Sequence, residues 1–247
     1  NIGPRNPWLV AIGLFLIYTG FWGFYAACNI PIFNLGPEYG MEGVTYFTAT
    51  NIYVTPTTLG GITMNFLMSL SGGFMAGYLI SKGDPFWTYS SGLAGIICAS
   101  AGNDLYHPIQ AMVIAMVGVV VAYKMHYWVE RKFKIDDAVG AVAVHGYAGF
   151  AGLVICGFVL WGYPSSGYSV GEMWVGTDYA PINPLGMFIG ALIMFFVLGM
   201  IPGWIIAKIL HGMGKLRIPR EVELAGLDYE IMEAAKDDEK AVSSASR

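Results

Sequence analysis

The stretch AVGAVAVHGYAGFAGLVICGFVLW, residues 138–161, decides the fold of this chain. It runs for 24 residues with His145 as its one histidine and with no acidic residue, lysine or arginine. A helix of that length, rising about 1.5 Å per residue, crosses a bilayer core of roughly 30 Å, and it places His145 some 12 Å along, near the midplane. A group that can carry a proton is costly inside a bilayer, so His145 is a candidate functional residue. The alternative is a structural histidine bonded to a neighbouring helix.

Small residues surround His145 and recur in two other apolar blocks. They let helices approach closely where lipid supplies no hydrophobic drive for association, and we predict that they are packing surfaces. The set comprises Gly146, Ala148, Gly149, Ala151 and Gly152 around the histidine, and Gly72, Gly73, Gly77, Gly92 and Gly95 elsewhere.

The composition is typical of a helical membrane protein. The mean hydropathy is +0.56, with 55% hydrophobic and 12% charged residues, whereas charged residues usually make up about 25%. The apolar residues lack the two-residue alternation of barrel strands. We predict an all-α, polytopic bundle of about six transmembrane helices. They lie at 7–30, 57–80, 86–101, 108–127, 138–161 and 184–209.

The positive charges predict the orientation. All 13 lysines and arginines fall on one side of the predicted topology: before the first block, in alternate connectors, after the sixth block, or, for Lys124 and Lys208, in the last residues of the fourth and sixth blocks. Because Lys and Arg concentrate on the cytoplasmic side, we expect both termini of this chain in the cytoplasm. The chain is then a multi-pass protein of the plasma or inner membrane, surrounded by lipid and without a nucleic-acid partner. Residues 1–210 form the transmembrane unit, and 211–247 form a cytoplasmic tail.

Aromatic residues cluster in TGFWGFYAA, residues 19–27 of the first block. Phe21, Trp22, Phe24 and Tyr25 can close a pore by stacking over its mouth, or bind a cation through their ring faces. Ordinary helix packing with an interfacial aromatic belt is an equal alternative.

Polar residues at helix ends have simpler interpretations. His107, His126 and His211 are expected at the membrane interfaces. Asp136 and Asp137 directly precede the helix that carries the central histidine, and they are placed to act as its N-cap and first-turn acids. The three cysteines lie inside apolar blocks, which argues against a disulfide framework or a zinc site.

Three segments together resemble the ammonium transporter (Amt/Mep/Rh) family. IDDAVGAVAVHGYAGFAGLVICG, residues 135–157, is similar to the family's DD-x₇-HG-x₂-G segment. TGFWGFYAA resembles its W-F-G-F-N-x-G block, and KLRIPREVELAGLD, residues 215–228, resembles its tail motif L-R-V-x₇-GLD. The resemblance covers nearly the whole chain.

The resemblance implies a fold of eleven helices, built as two inverted five-helix repeats plus a last helix. This chain resembles the second repeat plus that last helix. By resemblance, His145 is the second histidine of the pair that lines the pore, and Phe24 is one of two stacked gating phenylalanines. Phe21 takes the place of a tryptophan in that block, and Cys28 falls where a serine of the outer ammonium site is found. Tyr25 stands where the family usually has Asn.

The resemblance also implies partners. Ammonium or ammonia is the transported species, and no cofactor or metal is implied. The missing N-terminal half lies in the same chain or in a second chain, complete units assemble as homotrimers, and the tail is a contact for a regulatory protein. The tail lacks the histidine-glycine pair that often follows GLD, and Gly140 stands where an acid is common.

Three functions remain open from the sequence. The first is transport of ammonium or ammonia through a hydrophobic pore lined by a histidine pair, to which this chain supplies one half. The second is a non-transporting structural or ammonium-sensing membrane subunit that keeps the fold. The third is a subunit of a membrane redox enzyme with His107, His145 or His211 as ligands, against which their scattered depths argue.

Overall fold

The computed structural model describes residues 6–29, 48–52, 55–103, 105–135, 137–162, 181–220 and 222. Helices account for most of this part of the chain, so the predicted helical bundle is confirmed. The α-helices are α1 (Pro7–Asn29), α2 (Leu59–Ser81), α3 (Pro85–Ala99), α4 (Pro108–Phe133), α5 (Gly149–Val159), α6 (Pro184–Leu192) and α7 (Ile201–Gly212). Two segments are π-helical, Val142–Ala148 before α5 and Ile193–Met200 between α6 and α7, and a 3₁₀ turn, Ser100–Gly102, follows α3.

Capping residues set where several helices begin. Asp84 accepts a hydrogen bond of 2.9 Å from the backbone N–H of Trp87, and a proline follows it at the first position of α3. Asn183 caps α6 in the same way, through a bond of 2.7 Å from the Gly186 N–H. Such side chains satisfy backbone donors that have no partner in the first helical turn. These helices therefore begin where local sequence chemistry places a cap.

A short antiparallel strand pair precedes α2. Its strands are β1 (Thr48–Ile52) and β2 (Thr55–Thr58), with Thr48 opposite Thr58. The second apolar block was predicted to begin at residue 57, but threonine and proline there favour extended backbone. The helix consequently begins at Leu59.

Four helical segments of the described residues are long and apolar enough to cross a membrane. They are Trp8–Ala26, Pro108–Phe133, Val142–Val159 and Pro184–Gly212. The other two predicted spans correspond to α2, which carries the polar residue Asn65, and to α3, which has 15 residues. Both lie in the middle of the bundle and pack on other helices, where fewer apolar residues are needed than against lipid. The chain is an integral membrane protein.

The chain divides into two compact units, of which residues 1–195 form the first. Its centre is the packing of α2, α3 and α4 on one another. Glycines form these contacts as predicted. A Cβ on Gly72 would lie 2.9 Å from the Met112 Cγ, and a Cβ on Gly73 would lie 2.6 Å from the carbonyl oxygen of Ser91. The helix backbones therefore touch almost directly, as expected of small-residue faces in membranes.

A buried amide ties α2 to the turn between α3 and α4. The Asn65 Nδ2 donates hydrogen bonds of 2.6 Å to the carbonyl oxygens of Asn103 and Tyr106. Asn103 in turn donates to the Ile62 carbonyl oxygen at 3.5 Å. Asn65 and Asn103 are almost wholly buried, so these bonds replace water that the site excludes.

Residues 196–247 form the second unit, described over 196–220 and at 222. Nearly all of its described side chains are exposed. The Lys208 ammonium lies over the Trp204 ring, 5.4 Å from its centroid. Exposed apolar side chains on a spanning segment are expected, because lipid or other helices cover them in the membrane.

Candidate functional site

His145 lies in the π-helical segment Val142–Ala148. Three of its neighbours in that segment, Ala143, Val144 and Ala148, are buried in the bundle, whereas the imidazole is exposed. Within the described part of the chain, no hydrogen bond, ion pair or ring contact involves His145. The alternative of a histidine bonded to a neighbouring helix therefore finds no such bond among these residues. Short π-helical segments are rare, and they occur frequently at functional sites.

The predicted acidic cap at the start of this segment is confirmed for one of its two residues. The carboxylate of Asp137 accepts hydrogen bonds from the backbone N–H groups of Val142, at 3.1 Å, and of Ala143, at 3.2 Å. Asp136 lies outside the described residues. Gly140, between the carboxylate and the segment, has φ of 71°, a conformation that favours glycine.

The prediction that this helix begins near residue 138 is wrong. A turn occupies residues 138 and 139, residue 141 is the first in a helical conformation, and the π-helical segment begins at Val142. The left-handed glycine and the two capped amides together delay the helix start. His145 therefore lies in the first turn of its π-helical segment, nearer to the cap than the periodicity indicated.

Glycines bring the helix of the candidate site close to its neighbours. A Cβ on Gly152 would overlap the carbonyl oxygen of Cys98, so α5 and α3 meet through their backbones. A Cβ on Gly146 would lie 2.9 Å from the Phe195 ring, which covers the residue directly after His145. The predicted close packing around the histidine is confirmed at these two glycines. It holds the backbone of the segment against the bundle and leaves the imidazole outside.

The aromatic cluster of α1 divides into an exposed part and a buried part. The rings of Phe21 and Phe24 make an edge contact with centroids 6.4 Å apart, and Phe24 is 59% exposed. Tyr25 is buried, packs on Phe66 at 5.6 Å, and donates a hydrogen bond of 2.6 Å to the carbonyl oxygen of Ile96. Tyr25 thus ties α1 to α3. Phe24 is free of that structural role.

The remaining predicted residues of α1 are less informative. The Trp22 indole N–H donates a hydrogen bond of 3.0 Å to the Thr63 hydroxyl, which favours a packing role. Cys28 lies in the last turn of α1, and its side chain is outside the described part of the structure. The structure brings Phe21 and Phe24 together but records no contact between either ring and His145.

Two of the other histidines lie at helix ends. His107 caps α4, since its ring accepts from the Ile109 N–H at 3.3 Å while Gln110 accepts from the His107 N–H at 3.0 Å. His211 lies exposed in the last turn of α7. In the part of the chain that the structure describes, no group of three or more His, Cys, Asp or Glu residues is arranged to hold a metal ion.

For His126 the interfacial position stays a prediction, and the structure adds an environment that the sequence did not predict. Its side chain is buried beneath Trp87, with the ring centroids 5.2 Å apart, and it lies between Glu130 and Asp137. The sequence contained one local signal, a histidine and a glutamate four residues apart on one helix face. That Asp137 lies beside the same histidine could be seen only in the tertiary structure.

The bundle and its site define a class, a multi-span helical membrane protein with an exposed intramembrane imidazole and an aromatic cluster on its first helix. Comparison with known proteins narrows the class. Residues 1–236 match the profile of the Ammonium Transporter Family, and the chain belongs to that family.

Individual relatives agree with the family assignment. The chain is 29% identical over 208 residues to "Ammonium transporter Amt1" of Methanocaldococcus jannaschii, covering 83% of this chain and 50% of that protein. It is 27% identical over 234 residues to "Ammonium transporter" of Corynebacterium glutamicum, covering 92% and 45%. It is 29% identical to "Ammonium transporter 1 member 1" of Solanum lycopersicum, covering 89% and 44%. The chain spans about half the length of these relatives.

Proposed function

We propose that this chain supplies one half of a transmembrane pore for ammonium or ammonia, and that His145 faces the conducting path. The observation that carries the proposal is the exposure of this imidazole on a segment whose neighbours Ala143, Val144 and Ala148 are buried. A polar group of this kind on a spanning helix needs a polar partner or a water-filled cavity. A second pore half that brings its own histidine provides both.

The chemistry of the residues fits this role. An imidazole offers one donor and one acceptor, so His145 can hydrogen-bond to NH₃ or relay a proton to a second histidine. Phe21 and Phe24, on the first helix, present ring faces that attract NH₄⁺ at the outer mouth. The cation transfers its proton to water at the outer mouth before ammonia enters the apolar pore, because an unpaired charge there costs several kcal/mol. Cys28 completes the outer site in place of a serine.

The topology of the proposed pore follows from charge. With the basic connectors in the cytoplasm, both ends of this chain are cytoplasmic, and the α1 cluster lies towards the outer face. A single inverted repeat does not enclose a midplane site, so a first repeat, in the same polypeptide or in a second one, completes it. Complete units form a homotrimer, residues 1–210 form the membrane part, and the tail, residues 211–247, is the contact for a regulatory protein.

The test is uptake of radiolabelled methylammonium by cells that lack their own ammonium transporters and express the complete transporter. His145→Ala should reduce uptake by about 5- to 150-fold, because a desolvated substrate loses a hydrogen-bond partner worth about 1–3 kcal/mol. The amount of assembled protein should remain unchanged, since the exposed imidazole supports no packing. His211→Ala, which also removes an exposed histidine, is the matched control and should leave uptake unchanged.

Normal uptake by the His145→Ala variant, at normal expression, would refute the pore role. Assembly without any uptake by the wild-type protein would instead favour the non-transporting structural or ammonium-sensing subunit.

A further inference from the structure

A buried polar cluster lies at the end of α4, formed by His126, Glu130 and Asp137. The His126 Nδ1 lies 3.7 Å from the Asp137 Oδ2, and its Nε2 lies 3.5 Å from the Glu130 Oε1. His126 and Asp137 are 7% and 5% exposed. Buried charged and polar groups are retained at such a cost only where they are paired.

Aromatic rings close the cluster from the other sides. Trp87, from α3, lies 5.2 Å from the His126 ring, and Tyr127 lies 5.1 Å from it, measured between centroids. The Trp87 indole N–H donates to the Tyr127 hydroxyl at 3.1 Å, and Tyr123 packs on the indole at 4.8 Å. These rings keep water from the Nδ1 atom, which is buried and has no hydrogen-bond partner. The atom that faces Nδ1 is the carboxylate oxygen of Asp137.

The same carboxylate holds the start of the segment that carries His145. Its two oxygens accept from the Val142 and Ala143 N–H groups. Among the described residues, His126 is the only basic side chain within 4 Å of the Asp137 carboxylate. The residues between α4 and the cap include Gly140 in a left-handed conformation, so the backbone by itself fixes the approach of the segment weakly.

The cluster does not have the geometry of a metal site. Glu130 and Asp137 face opposite nitrogens of the imidazole ring, so the two carboxylates and one nitrogen of His126 do not converge on one point. Each ring nitrogen instead lies within 4 Å of a different carboxylate, so the imidazole bridges Glu130 and Asp137.

We propose that His126 is a positioning residue for His145. This inference rests on the proposed function. His126 fixes the Asp137 carboxylate, and this carboxylate fixes the Val142 and Ala143 amides. These amides set the orientation of the first π-helical turn. His145 follows Val142 by three residues in the same segment. A displacement of about 1 Å at a reacting group can reduce a rate about 100-fold, so a distant residue can act in this way.

The first experiment measures amide hydrogen exchange in the complete, purified transporter, on peptides that cover residues 141–149. His126→Gln keeps a polar side chain of similar reach and removes the ring that places one nitrogen against each carboxylate, and it should raise exchange at Val142 and Ala143 at least fivefold. Glu130→Gln is the matched control, because Glu130 faces the other ring nitrogen and makes no contact with the cap. It should leave exchange in this segment within twofold of the wild type.

A double-variant cycle tests the route through the carboxylate. Asp137→Asn should raise exchange at the same amides, and adding His126→Gln to it should cause less than a further twofold change. Multiplicative effects of the two substitutions would overturn the inference, as would wild-type exchange in His126→Gln.

Transport provides a readout that a general loss of stability does not reproduce. In His126→Gln, the maximal rate of methylammonium uptake should fall at least fivefold while KM stays within twofold, because the aromatic cluster of α1 is untouched. An unchanged maximal rate would overturn the inference. Amide exchange does not depend on transport, so normal uptake in His145→Ala would count against the proposed function alone.

Discussion

Replacing Gly152 by alanine tests the close approach that holds the His145 segment in place. The added Cβ would overlap the Cys98 carbonyl oxygen and lie 2.9 Å from the carbonyl carbon and 3.0 Å from the Cα. All three are backbone atoms, so no side-chain rotation relieves the overlap. The helices α3 and α5 must separate, and contacts along their interface lengthen.

The magnitude follows from two opposing terms. Overpacking of a tight interface costs about 1–3 kcal/mol and sometimes more, and a backbone clash belongs at the upper end. Alanine in place of glycine in a helix recovers about 1 kcal/mol. We therefore expect Gly152→Ala to destabilise the protein by about 2 kcal/mol. In a chain of this size that lowers the melting temperature by roughly 4–8 °C.

A matched control lies one turn away in the same helix. A Cβ on Gly149 would meet only the Ile97 Cγ2 at 3.6 Å, an ordinary contact. Gly149→Ala should therefore stabilise the helix by up to about 1 kcal/mol through helix propensity alone. The assay heats the detergent-purified protein to a series of temperatures. Size-exclusion chromatography then measures the fraction that remains folded after each heating step. Equal melting temperatures for the two variants would refute the backbone contact between α3 and α5.

Three further predictions concern the gate, a buried bond network and a helix end. Phe24→Ala should reduce selectivity, measured as an increased uptake of competing cations. It should not lower the melting temperature, because the ring is 59% exposed. Asn65→Leu should destabilise the protein by about 1–3 kcal/mol in thermal unfolding, since the carbonyls of Asn103 and Tyr106 lose its donor. Lys134→Gly should stabilise it by about 1 kcal/mol in the same assay, because Lys134 ends α4 at φ of 56°.

Hydropathy predicted the bundle because each spanning helix must satisfy its own backbone hydrogen bonds in lipid. That rule acts locally, so six apolar blocks became six helical regions. It was least informative for α2 and α3, where Asn65 and the serines of α3 face protein. Their lower hydropathy is a consequence of burial within the bundle, which no sliding window records.

The candidate site was predicted in part. His145 was identified by its cost in lipid, and Asp137 by its distance before an apolar run. The different roles within the aromatic cluster were not predicted, since Phe24 and Tyr25 are adjacent in the sequence and both aromatic. Only packing against α2 and α3 buries Tyr25 and exposes Phe24.

The sequence by itself determined the membrane class, the helical segments, the family and the position of the central histidine, because these depend on hydropathy and local spacing. The tertiary structure decided which side chains are buried. It brought Asp137 back to His126 across the loop after α4, delayed the start of the His145 segment to Val142, and pressed Gly152 on Cys98. Each of these contacts joins residues whose distance in space depends on how the helices pack, and that packing is a property of the whole bundle rather than of any one segment.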